Sequence, residues 1–114
     1  MDTKSTAAPP EAAEVLILAD KPRIELGKIV ATHGALALLG KHSVDPLHLV
    51  LWHQQGQWGD LDQDVVAANN RALKDGGRIF TSYINGGEKV WVITEAVDED
   101  GSRSSTTILL PSEY

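Results

Sequence analysis

A chain of 114 residues is long enough for one hydrophobic core, and with no cysteine it carries neither disulfides, nor a thiolate nucleophile, nor a Cys-bound zinc. Its 16 acids against 10 bases leave a formal charge of −6, which opposes non-specific binding to nucleic-acid phosphates. No apolar run approaches the roughly 18 residues a membrane span needs, so the expectation is a cytoplasmic protein without membrane contact.

In chain order, residues 1–13 are rich in Ala, Pro, Ser and Thr without an apolar period, and read as a disordered leader with no basic n-region of a signal peptide. Residues 14–114 read as a single α+β domain. "EVLILADKPRIELGKIVAT" opens it with a short apolar run at Val15–Leu18, a Lys-Pro turn, and a strand or extended segment from Ile24 to Ala31. "THGALALLGKH" predicts a short helix capped by Thr32, with Ala35, Leu36, Leu38 and Leu39 on its apolar side and Gly40 at the C′ position.

"SVDPLHLVLWHQQG" predicts a second helix. Asp45 can cap it, Pro46 suits the first helical position where its missing N–H costs nothing, and Gly56 ends it. Leu47, Val50 and Leu51 are its expected buried stripe. "DLDQDVVAANNRALKDGG" predicts a third helix that starts at Asp60 or Asp62 and stops at Gly76 or Gly77. Its expected inward positions are Leu61, Val65, Ala68 or Ala72, and Leu73.

Beyond that point the apolar period changes from 3.6 to 2. "RIFTSYI", "EKVWVITEAV" and "RSSTTILL" are β-branched and aromatic runs, and Asn85-Gly86 and Asp100-Gly101 between them supply the left-handed conformations of hairpins. The expected architecture is three short helices packed on one face of a C-terminal antiparallel sheet, a meander of three or four strands. In the middle strand Val90, Val92 and Thr94 share one face, and Lys89, Trp91, Ile93 and Glu95 share the other, amphipathic one.

Several passages occur together and in order: "ELGKIVATHGAL", "HQQGQWGDL", "AANNRALKDGGRIFTSY", "KVWVITEA" and "TTILLPSEY". On these, residues 24–114 resemble a family of small proteins encoded on plasmids and integrated mobile elements, usually called "plasmid-related protein" and often labelled a type I restriction subunit M. That label does not suit the chain, because a methylating subunit needs a glycine-rich cofactor loop and a catalytic motif that are not here. The resemblance implies an accessory protein of a mobile element and no established activity. Two departures stand out: Gln57 replaces an acid common before the Trp-Gly pair, and "TEAVDEDGSRSS" is longer than the family's passage. The longer passage leaves open whether Arg103 takes the place of the family's arginine there.

The stretch "HQQGQWGDLDQD" concentrates the polar chemistry of the chain. His53 can serve as a general acid or base, or it can complement the end of the second helix. Asp60, Asp62 and Asp64 alternate like the opening of a calcium loop, but Val65 and Arg71 stand where such a loop needs glycine and glutamate. The four histidines lack the spacing of a zinc site, and "KDGGR" and "NGGEK" match no nucleotide-binding loop, so neither metal nor cofactor is expected.

Three functional readings follow. The leading one is binding of another macromolecule, a protein, through Tyr83, Trp91 and Ile93 on the sheet together with the acidic loops, with Trp58 and Asp60 at the helix joint. The alternative is a metal-independent, barnase-like ribonuclease or phosphodiesterase, with Glu95 as base, His53 as acid and Arg78 as phosphate clamp. A third is an acidic inhibitor of host defence nucleases, which rests on the net charge.

Overall fold

A computed structural model describes residues 24–114. The predicted leader and the Val15–Leu18 run lie outside the described residues. The elements are β1 (Lys28–Ala31), α1 (His33–Lys41), α2 (Pro46–Gln54), α3 (Gln63–Asp75), β2 (Ile79–Asn85), β3 (Glu88–Thr94), β4 (Ser105–Leu109) and a closing 3₁₀ turn, Pro111–Glu113. The fold is α+β, as the order of periodicities predicts.

The sheet has the strand order β1-β4-β3-β2. β2, β3 and β4 form the expected antiparallel meander, whereas β1 runs parallel to β4, so the sheet is mixed rather than purely antiparallel. The reason is connectivity. Parallel neighbours need a long crossover, and here the whole run of helices and the first hairpin intervene between β1 and β4. The β2–β3 hairpin turns through Gly86 and Gly87, both at positive φ, with Asn85 paired to Glu88; the turn therefore sits one residue later than Asn85-Gly86.

Local signals set the helix starts. The Thr32 hydroxyl accepts from Ala35 N at 3.1 Å, and Asp45 accepts from Leu47 N at 2.9 Å with Pro46 in the first turn. Asp62 holds the N-cap position of α3, but neither it nor Asp60 makes a side-chain cap, contrary to expectation; the Asp62 carbonyl receives Val65 and Val66 N–H instead. α2 ends in a Schellman motif around left-handed Gly56, with Gln57 N donating to Trp52 O and Gly56 N to His53 O.

α1 ends in the same motif, but Gly40 is not its pivot. The helix runs on to Lys41, and Ser43 takes the left-handed conformation at φ 57°, with Val44 N donating to Leu39 O. A serine in that conformation is strained where glycine is not. Ser43→Gly should raise stability by up to about 1 kcal/mol, net of the extra freedom it gives the unfolded chain, which denaturant unfolding would read as a higher midpoint at unchanged slope.

Two apolar clusters fill the space under the helices. One joins Ala35, Leu38 and Leu39 of α1 and Leu49 and Val50 of α2 to Tyr83, Val90, Val92 and Ile108 of the sheet. The other joins Ile24, Trp58 and Ala72 to Ile79. The buried stripe of α2 is thus Leu49, Val50 and His53, not Leu47, Val50 and Leu51. On α3 the inward positions are Asn69 and Ala72, with Val66 and Leu73 packed beside them, and Ala68 is exposed.

The two edges of the sheet differ. Along β2, Ser82 N donates to Trp58 O, Asp60 N donates to Ser82 O at 2.7 Å, and the Asn69 amide brackets Phe80, accepting from its N–H and donating to its C=O. The outward backbone groups of Phe80 and Ser82 are therefore paired although no further strand among the described residues lies beside them. At β1 nothing among the described residues pairs with the outer edge, and Ile29 and Val30 are 45% and 41% exposed.

Candidate functional site

His53 lies in the last turn of α2 yet points inward, fully buried between the helix layer and the sheet. The strands meet it with threonines. Its Nδ1 is 2.9 Å from Thr81 Oγ1 and its Nε2 is 2.7 Å from Thr94 Oγ1; Thr94 is 2.7 Å from Thr106 Oγ1, which donates to Leu26 O at 2.7 Å.

Counting protons along this row assigns every donor. Thr106 uses its one hydroxyl proton on the Leu26 carbonyl, so Thr94 must donate to Thr106, and His53 must donate to Thr94 from Nε2. With the ring neutral, Nδ1 is the free lone pair and accepts from Thr81 at 2.9 Å, in preference to the Val92 carbonyl 3.4 Å from the same hydroxyl. Burial, and after it the Arg103 cation, push the His53 pKa from 6.5 down to about 4, which keeps the ring neutral at pH 7. The edge of the ring also meets Trp58 in a T-shaped contact at 6.4 Å.

The other residues of the nuclease reading stand elsewhere. Thr94 faces His53, so Glu95, the next residue, projects from the opposite side of the sheet, and Arg78 lies beside it at 3.9 Å. Arg78 Nη1 donates to the Tyr114 hydroxyl at 2.6 Å and the guanidinium sits 5.2 Å from that ring. Tyr114 packs edge-on against Trp91, which packs against Phe80. The sheet therefore separates His53 from Arg78 and Glu95, and the geometry brings no two of the required acid, base and clamp onto one phosphate except Arg78 and Glu95, which face each other.

The sheet residues expected to bind a partner are also divided. Tyr83 faces the helices, buried, with its hydroxyl donating to Gln57 O at 2.6 Å and its pKa pushed up to about 12 by burial. Trp91 and Ile93 face the other way, Ile93 buried and Trp91 half-covered by Tyr114. They do not form one exposed surface with Tyr83, because the strand register gives Tyr83 a Val90 partner and puts Trp91 one residue out of phase. Trp58 is buried in the joint between α2 and α3 and so does not present the contact expected of it, while Asp60 is exposed with its carboxylate 4.0 Å from Lys89 Nζ. Gly59 between them is required: at φ 78° it lies so close to β2 that a Cβ would collide with the Ser82 carbonyl and the Tyr83 ring.

Arg103 is a structural residue that sequence reasoning left open. It is buried, and its guanidinium donates to Gly77 O, Glu95 O and Ala72 O at 2.6, 3.0 and 3.2 Å, closing the C-terminus of α3. Asn69 and Tyr114 were missed as well. The available signals were a polar residue at an inward helical position and an aromatic residue ending the chain near Arg78 and Trp91 partners.

One cluster of exposed apolar side chains lies on α2. Leu47, Leu51 and Trp52 are 56%, 46% and 43% exposed, and beside them His48, Leu51, Trp52, Gln55 and Gln57 line a groove of about 340 Å³. Trp52 is braced from below by Tyr83 at 5.7 Å. Among the described residues no three His, Asp or Glu side chains gather closely enough to hold a metal ion, and no helix is long and apolar enough to cross a membrane. No protein-family model, curated protein or solved structure matches the chain.

Proposed function

We propose that the protein acts by binding another protein, with the outer face of α2 as the contact. One observation carries this reading. α2 carries large apolar residues on both its inward and its outward side, with His48, His53 and Gln54 among them, yet the fold covers only the Leu49, Val50 and His53 side. Leu47, Leu51 and Trp52 are left facing outward over a groove whose Trp52 is held rigid by Tyr83.

The chain's charge of −6 selects a partner whose apolar ridge is bordered by basic side chains. The resemblance of residues 24–114 to small plasmid-borne proteins points the same way, to a cytoplasmic accessory protein of a mobile element. Copurification from the host should retain a partner on the wild-type chain and on an Ile84→Glu control, and lose it on Leu51→Glu with the melting temperature unchanged. Retention by Leu51→Glu at the wild-type level would remove α2 from the interface.

A further inference from the structure

On the opposite side of the sheet from His53, where the capped edge of β2 meets the start of α3, lies a second groove of about 260 Å³. Asp60, Asp62, Phe80, Ser82, Lys89 and Trp91 line it. Phe80 and Trp91 pack edge to face at 4.9 Å and supply an aromatic wall. Two carboxylates against the single Lys89 ammonium leave the rim net negative, and Lys89 approaches Asp60 only to 4.0 Å, with both side chains about half exposed.

Ser82 is the telling residue. It is 3% exposed, points to the same side as Phe80 by strand alternation, and lines the groove, yet its hydroxyl has no hydrogen-bond partner. Its backbone N–H and C=O are taken by Trp58 and Asp60, so the hydroxyl is the one polar group here left over. A buried polar group without a partner is costly, and of the three such side-chain atoms among the described residues, His42 Nε2, Asn85 Nδ2 and Ser82 Oγ, it is Ser82 Oγ that belongs to a residue lining this groove.

We propose that this groove binds a guanidinium group. Such a cation presents several N–H donors in one plane and stacks on aromatic rings, which matches a carboxylate, an indole and a hydroxyl set around one groove better than a compact ammonium does. Asp60 receives the paired N–H groups, Trp91 receives the flat face, and the Ser82 hydroxyl accepts a remaining N–H. Lys89 is the resident competitor for Asp60. The site is separate from the α2 face and stands whether or not that face binds a protein. The guanidinium comes either from a free small molecule or from an arginine side chain of a protein, and one titration distinguishes them.

The ¹⁵N-labelled full chain is titrated with methylguanidinium, with a blocked arginine tripeptide, and with the matching lysine tripeptide. The expected result is a saturable shift of the Trp91 indole N–H and the Ser82 amide, weakened about fivefold by Asp60→Asn and strengthened about twofold by Lys89→Gln, with binding falling as salt is raised. Tighter binding of the arginine tripeptide than of methylguanidinium assigns a protein source, and equal binding assigns a free one. Absence of saturation at Trp91, equal binding by Asp60→Asn, or a lysine tripeptide that binds as well as the arginine one would each overturn the proposal. Asp60 is exposed, so the variant's unchanged melting temperature serves as the folding control.

Discussion

Replacing His53 by alanine is expected to destabilise the protein by about 4 kcal/mol, the combined cost of a cavity under α2 and of hydroxyls left without partners. The imidazole is fully buried and closes a polar row from Thr81 to the Leu26 carbonyl, so its removal takes a hydrogen-bond partner from both Thr81 and Thr94. Chemical denaturation of wild type and variant at pH 7 measures the difference. The same residue sets a pH dependence. Because folding lowers its pKa from 6.5 to about 4, the unfolded chain binds the proton more readily. This contribution is therefore fully present above pH 6.5, declines as pH falls through the interval, and levels off near pH 4 after a loss of about 3 kcal/mol. Subtracting the His53→Ala stability profile from that of wild type isolates the term; a flat difference between pH 7 and pH 4 would show that the ring is not held neutral.

Arg103→Met carries the second large effect, a loss of about 3 kcal/mol, because the methionine fills the space of the side chain and leaves three carbonyls without their donor. Those carbonyls belong to Ala72 in the last turn of α3, to Gly77 just beyond it and to Glu95 directly after β3, so the last turn of α3 should fray first. Faster amide exchange at Gly76 and Val97, whose N–H groups bond to Ala72 O and Gly77's neighbour Gly76 O, would report it. A second readout separates charge from packing. The Arg103 cation helps hold the His53 pKa down, so removing it moves the His53 titration upward toward 6.5 and shrinks the pH-dependent term described above.

How far the fold was legible follows from the range of each signal. The start of α2 was readable because Asp45 and Pro46 act within one turn, and the β2–β3–β4 meander because its turns and its two-residue period are local. The buried side of α2 was not, since "LHLVLW" places apolar residues on opposite sides of the helix and only the surrounding elements choose a face. The pairing of β1 with β4 joins the two ends of the described chain, and nothing in either strand's own residues states it.

The candidate site was legible in part. Trp58 does lie at the helix joint, buried rather than open to a partner, and the density of polar residues in "HQQGQWGDLDQD" did mark a special passage, although its use is to cap a strand edge and to seat His53 in the core. His53 looked like a helix-terminal cation because it sits in a last turn. Thr81, Thr94 and Thr106, inward positions on three strands, were the sign that a buried polar partner was required. Arg78 and Glu95, the clamp and base of the nuclease reading, do lie side by side, and parity along β3 is what separates them from His53.

The unequal edges of the sheet limit how copies of this molecule can join. A sheet open at both sides can extend without end, each new copy offering the next a fresh template. Here the Asn69 amide and the Trp58–Asp60 backbone terminate one side, and among the described residues β1 is the edge left open. Two copies of residues 24–114 that pair through β1 leave no further open edge between them, so edge-to-edge pairing of this part of the chain gives a closed pair rather than a fibre.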